Sequence, residues 1–176
     1  ETGFECGESE VHHENHERVF RLESNFYISN KQDLFAVTCF PLGPALALEF
    51  PEVEDFTRLL RRENYLVSYN GKEFYEDDIY FADSSVFRIF THHFIEGVPD
   101  KALTEPNTVV LTQSLAKKYF GDEDPFNKMI TLGPSRLNYK VTGVIEDLPM
   151  NSHVKYKALI SMTTLAQLYG FENFNS

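Results

Sequence analysis

"NTVVLTQSLAKKYFGDEDPFNK", residues 107–128, decides the fold class. Its apolar run, Thr108 to Leu111, predicts a short buried strand. Thr112 stands where a helix N-cap belongs, and Gln113–Phe120 predicts a helix with Leu115 on its core face. Gly121 stops that helix, and Asp124-Pro125 turns the chain away. A strand feeding a helix gathers free backbone N–H groups at one point, where many enzymes hold phosphate. Such a turn needs glycines, so that the backbone can approach the anion. No glycine lies between Leu111 and Ser114, and Lys117 and Lys118 fall mid-helix. The unit reads as scaffold.

Working outward, strands and helices alternate without a strict βαβ repeat. Residues 18–29, "RVFRLESNFYIS", read as a strand. Residues 41–50, "PLGPALALEF", read as a short helix with one apolar side, entered through prolines. Residues 52–69 return as an extended segment. Asn70-Gly71 fits a type I′ turn, which needs positive φ at both central residues. It predicts a hairpin of 64–69 with 72–83, bent or bulged at Glu76-Asp77-Asp78. Asp83 reads as the N-cap of a helix over "SSVFRIF". "HHFIEGVPDKAL" reads as an irregular connection with a turn of helix at 100–103. Beyond the opening unit, 129–132 and 138–146 form a second hairpin around "GPSR". Residues 154–162 form a strand, and Thr163–Tyr169 a final short helix. This order is α+β and not a doubly wound sheet.

The chain has 176 residues, enough for one ordinary domain or two small subdomains. Sixteen Phe and no Trp mean that Phe and Tyr supply the large core groups. The net charge of −11 argues against general nucleic-acid binding, which needs clustered Lys and Arg. The compact basic group Arg58, Arg61, Arg62 is followed at once by Glu63 and reads as a solvated strand or turn. No run of eighteen apolar residues is present. No signal peptide is visible, and the chain opens Glu1-Thr2-Gly3, as a processed or excised domain does. Cys6 and Cys39 are too few for a disulfide framework and wrongly spaced for zinc. In an oxidising compartment they can pair.

Three clusters invite chemistry. "HHENHE", 12–17, sets His12 and His16 on one helix face, as zinc ligands often stand. Neither His12 nor His13 meets the zincin register, and no third ligand is evident. Glu76-Asp77-Asp78 and "DEDP", 122–125, could hold paired carboxylates for acid–base work. They lack the alternate ligands, central glycine and closing glutamate of an EF-hand. Ser84, Ser85, Ser114 and Ser152 lack a nucleophile elbow, and Ser152-His153 are only sequence neighbours. Cys39 has no basic neighbour to lower its pKa. No catalytic, cofactor-binding or metal-ligating residue is assigned.

Five phrases in order resemble one family, the MacB-like extracytoplasmic (periplasmic) core domain of FtsX/MacB-type ABC transporter permeases, most closely those of Bacteroidetes. They are "HENHERVFR" (13–21), "PLGPALALEFPEVEDFTRL" (41–59), "FYEDDIYFADSSVFRIFTHHFIEG" (74–97), "ALTEPNTVVLTQSLAKKYFGDEDPFNK" (102–128) and "YKVTGVIEDLPMNSHVKYKALISM" (139–162). The resemblance spans about 13 to 165. It implies a juxtamembrane lead-in, 1–16, and two subdomains. One is a βαβ-type, porter-like subdomain of 17–69 plus 154–176. The other is a β-rich, sabre-like insertion of 70–153. The resemblance implies two flanking membrane helices that this stretch lacks, and the stretch stops at Ser176 before the later βαβ unit that the family usually carries: either the porter-like part is incomplete here, or this member is shorter or cleaved. The implied role is non-catalytic and needs no cofactor: the domain couples ATP-driven membrane motion to export or periplasmic signalling. The implied partners are a cytoplasmic ABC ATPase subunit, a second permease copy and a periplasmic adaptor. Two rival readings stand beside it, a stand-alone peptide- or glycan-binding module and a metal-dependent hydrolase using the His cluster.

Overall fold

The computed structural model of the chain describes residues 16–22, 24–28, 31–35, 39–150, 152 and 154–169. A 3-10 turn, His16–Arg18, leads to β1 (Ser24–Ile28), β2 (Lys31–Phe35) and α1 (Leu42–Glu49). There follow β3 (Leu59–Arg62), β4 (Tyr65–Tyr69), β5 (Lys72–Glu76), β6 (Ile79–Ala82), α2 (Val86–Ile89) and β7 (Phe94–Gly97). After a 3-10 turn at Pro99–Lys101 come β8 (Thr108–Thr112), α3 (Gln113–Phe120), β9 (Met129–Leu132), β10 (Leu137–Ile145), β11 (Ala158–Ser161) and α4 (Met162–Tyr169).

The class is α+β, with two parts. In the smaller part, β1 and β2 pair antiparallel and α1 follows. The larger part is one mixed sheet in the order β3-β6-β11-β8-β10-β9-β4-β5, with β7 also on β10. This sheet crosses both expected boundaries. β4 and β5 pair across 69/70, and β11 lies between β6 and β8. The larger part therefore takes in β3, β4 and β11, which the sequence reading placed outside the inserted subdomain. Asn70-Gly71 joins two strands of one hairpin instead of linking two units. β11 is buried at all four positions, which places it inside a sheet. The expected lead-in lies outside the described residues, apart from His16.

β8 explains why the sheet is covered on both sides. All five of its residues are buried. Alternate side chains of a strand leave by opposite faces. Val109 and Leu111 join Leu115, Tyr119 and Phe120 of α3 and Leu165 of α4 in one core. Val110 joins Val86 of α2, Ala102, Leu103 and Leu159 in a second core on the other face. A continuous apolar run is the pattern such a strand needs.

Several local readings change. At 76–78 the expected bend is found and the bulge is not: the strand ends at Glu76, the chain bends at Asp77, Asp78 takes φ +63°, and β6 runs at the far end of the sheet. "FIEG" is a strand, β7, paired with β10. α1 lies where expected, but it has apolar residues all round and none of them is buried. The strand expected over 18–29 begins only at Ser24. Asn70 and Gly71 do take φ +50° and +82°, the type I′ pair.

Candidate functional site

The turn from β8 into α3 is the first place to look for an anion site. Thr112 makes no side-chain capping bond. Asp147, from the loop after β10, occupies the position instead. Its Oδ1 accepts from Ser114 N–H at 3.0 Å, and its Oδ2 accepts from the Ser114 hydroxyl. The positive end of the helix is thus answered by a carboxylate of the chain itself. At the other end Gly121 takes φ +66°, and its N–H reaches Lys117 O. Lys72, from the β4–β5 hairpin, donates to the free carbonyls of Lys118 and Tyr119 at 3.0 Å each. Both ends of α3 are closed by residues distant in sequence.

The acidic trio separates into three unrelated roles. Glu76 is buried on the α3 face. Its Oε1 accepts from the Lys118 ammonium and, at 2.9 Å, from the Tyr119 hydroxyl; its Oε2 lies 3.4 Å from Lys157 Nζ. Burial pushes the Glu76 carboxyl up, but the Lys118 and Tyr119 hydrogen bonds and the two lysine charges outweigh it and hold the pKa below the ordinary value. Burial and the neighbouring carboxylate push the Tyr119 hydroxyl well above the tyrosine range. Asp77 accepts from Asn64 N–H, and Asp78 pairs with Arg61 at 2.7 Å. Geometry keeps the three carboxylates from acting together.

The second acidic stretch is also divided. Asp122 pairs with Lys117, Glu123 with Lys128 at 2.6 Å, and Asp124 accepts from Phe126 N–H. Glu96 of β7 also meets Asp124. Its burial, with the Asp124 carboxyl beside it, raises the pKa above the ordinary value. Among the described residues no three His, Cys, Asp or Glu are grouped so as to hold a metal.

Two of the three arginines of the basic group, Arg58 and Arg61, are paired with carboxylates in place. Arg58 grips Asp83 through Nε at 2.8 Å and Nη2 at 2.7 Å, and Asp83 also accepts from Arg58 N–H. Asp83 therefore does not cap α2; Ser85 holds the N-cap position, and its hydroxyl donates to Phe56 O. Arg62 stacks on Phe81. A cleft of about 130 Å³ opens beside the Arg58–Asp83 pair, walled by Leu103, Met162 and Thr163. Its two charges are already spent on each other, so it presents no free countercharge to a ligand.

The serines are used structurally: Ser114 on Asp147, Ser85 on Phe56 O, Ser152 on Val154 O. His12, His13, His153 and Cys6 lie outside the described residues. His16 begins the 3-10 turn, and Cys39 is exposed. His92, which the sequence reading passed over, joins Phe90 O at 2.8 Å and the Tyr156 hydroxyl. Asp147, Glu76 and Glu96 were not legible as a set, because their partners lie 28 to 81 residues away.

The model of the MacB-like periplasmic core domain matches residues 12–175. The chain belongs to this family. A domain of a protein described as a permease, from Porphyromonas gingivalis, superimposes on this MacB-like domain with a TM-score of 0.66 at 27% identity, over 81% of this chain and 64% of that one. The periplasmic region of MacB from Actinobacillus actinomycetemcomitans shares the fold, with a TM-score of 0.52 at 19% identity, over 65% of this chain and 50% of that one. The MacB-like domain here thus spans 64% and 50% of the lengths of these two solved chains. A search of curated proteins finds no match.

Proposed function

We propose that this MacB-like domain is the extracytoplasmic, periplasmic domain of an inner-membrane ABC transporter permease, and that it works by moving. In this reading a cytoplasmic ATPase subunit hydrolyses ATP, and membrane helices outside the described residues carry the motion to this domain. The domain passes it to a second permease copy or a periplasmic adaptor, in export or in signalling. It performs no catalysis, holds no metal or cofactor, and at a net charge of −11 it does not engage nucleic acid.

The observation that carries the reading is the family match over residues 12–175. The geometry supports it. Groups that could do chemistry are spent on ties across the large sheet, Glu76 to α3 and to the approach of β11, Asp147 to α3, Arg58 to Asp83. Such ties suit a body that transmits displacement without deforming.

The test is made in the full-length permease, reconstituted in vesicles with its ATPase subunit. Replacing residues 59–169 by a flexible Gly/Ser linker is expected to abolish coupled transport while basal ATP hydrolysis persists. Transport that survives the replacement overturns the reading. So does a parent gene that lacks apolar spans of about 20 residues flanking this segment.

A further inference from the structure

We propose that Asn70 is a deamidation site held silent by the folded β4–β5 hairpin and its clamp on α3, and that conversion to isoaspartate makes an opening of this turn permanent. This concerns the chemistry of the chain itself and does not depend on the permease reading.

The sequence holds one Asn-Gly pair, Asn70-Gly71. Both residues are exposed. Among the described residues neither the Asn70 carboxamide nor the Gly71 N–H has a hydrogen-bond partner. Space around the pair is open, since a Cβ at Gly71 would meet nothing within 4 Å. An asparagine side chain can be attacked by the main-chain nitrogen of the next residue. Glycine opposes this least, because it has no Cβ and turns freely. Gly71 N gives up its proton and bonds to Asn70 Cγ. The Cγ–Nδ2 bond breaks, and that nitrogen leaves as ammonia with the proton. A five-membered imide remains, and water opens it. Cleavage between Gly71 N and Cγ gives aspartate. Cleavage between Gly71 N and the main-chain carbonyl carbon of Asn70 gives isoaspartate, with the chain running through Cβ and Cγ. One water enters, one ammonia leaves, and nothing is oxidised or reduced.

The turn decides when this happens. The imide ring closes only when Asn70 Cβ eclipses Gly71 N about the Cα–C bond. Asn70 and Gly71 take φ +50° and +82°, the type I′ pair. At the first central residue of such a turn ψ is about +30°, which sets Cβ and the next nitrogen on nearly opposite sides of that bond. To react, Asn70 must rotate there, and the closing pair Tyr69 and Lys72 must part. Both arms are fastened to the C-terminal end of α3. The Tyr69 ring lies on Phe120 with centroids 4.0 Å apart, and its hydroxyl donates to Glu123 at 3.2 Å. Lys72 donates to Lys118 O and Tyr119 O. These contacts set how often the turn opens. Isoaspartate adds one backbone carbon between Tyr69 and Lys72. The length of a two-residue turn fixes the register of its strands, so the product cannot restore the closing pair with Lys72 on α3.

The test follows Asn70 by peptide mapping and mass spectrometry in the 176-residue chain, at one temperature and a mildly alkaline pH. Conversion in the folded chain is expected to run at least about tenfold slower than in guanidinium chloride. Lys72→Met removes the two bonds to α3 and leaves the attacking and attacked groups in place. It is expected to speed conversion several-fold in buffer and not at all in guanidinium chloride. The purified isoaspartate form should show a lower thermal midpoint and faster amide hydrogen exchange over 66–76. Equal rates in the folded and unfolded chains overturn the proposal, as does an Asn70 that stays intact in guanidinium chloride. So does a Lys72→Met chain that reacts no faster in buffer, or an isoaspartate form whose hairpin exchanges as slowly as the parent's.

Discussion

Glu76 joins β5, α3 and the approach to β11 through side chains 42, 43 and 81 residues away. Glu76→Gln leaves two lysines without their countercharge while keeping the shape of the side chain. The lysines are partly solvated, so the expected loss is about 1–3 kcal/mol and not the larger cost of a fully buried pair. Because its folded pKa lies below the ordinary value of 4.5, Glu76 stabilises the fold above that pH, and the contribution fades as pH falls through the folded pKa. The gap in melting temperature between wild type and Glu76→Gln should therefore be wide at pH 7 and narrow as the pH is lowered below the ordinary value of 4.5 and through the folded pKa. Asp147→Ala removes the carboxylate at the start of α3 and should cost about 1 kcal/mol, read as a lower denaturant midpoint with unchanged slope. Gly71→Val tests the hairpin turn. A Cβ at Gly71 meets nothing within 4 Å, so the whole cost comes from holding a β-branched residue at φ +82°. That strain is about 1–3 kcal/mol, and an unchanged melting temperature would contradict the type I′ geometry.

At the scale of the element, α3 shows how a helix of eight residues is held without strong propensity. So short a helix is marginal alone and depends on its buried side. Leu115, Ala116, Tyr119 and Phe120 supply that side, while Asp147 and Lys72 close its ends. Leu115→Asp puts a carboxylate where the side chain is 3% exposed, beside Val109 and Leu111. The expected cost is several kcal/mol, comparable to the stability of a small domain. Circular dichroism should show an unfolded or molten chain at 25 °C, and in the full permease export should fail while the ATPase subunit keeps its basal rate. α1 is the opposite case. Its apolar sequence predicted a helix correctly, yet it finds no core among the described residues.

The isolated chain should neither bind nor hydrolyse ATP, measured by calorimetry and phosphate release. Replacing His12, His13 and His16 by Ala should leave ATP turnover and transport in the full permease within a fewfold of wild type. Loss of transport with intact circular dichroism would return the His cluster to consideration as a metal or proton site. The sequence by itself determined what short-range chemistry determines. The apolar run of β8, the stop at Gly121 and the φ demands of Asn70-Gly71 each depend on a few adjacent residues, and each was legible there. It showed the α+β class through the order of elements, and the family through five phrases. The tertiary structure alone decided the strand order and the partners of the charges. β3 and β4 are separated by two residues yet lie near opposite ends of the sheet, because β3 pairs with β6 and β4 pairs with β9 and β5. Thr112 and Asp83 were both sound caps by local rules. Each lost its place to a distant contact, Asp147 at α3 and Arg58 at Asp83, because a charge-assisted pair held by the packed sheet is stronger than a hydroxyl or carboxylate bond made within one turn.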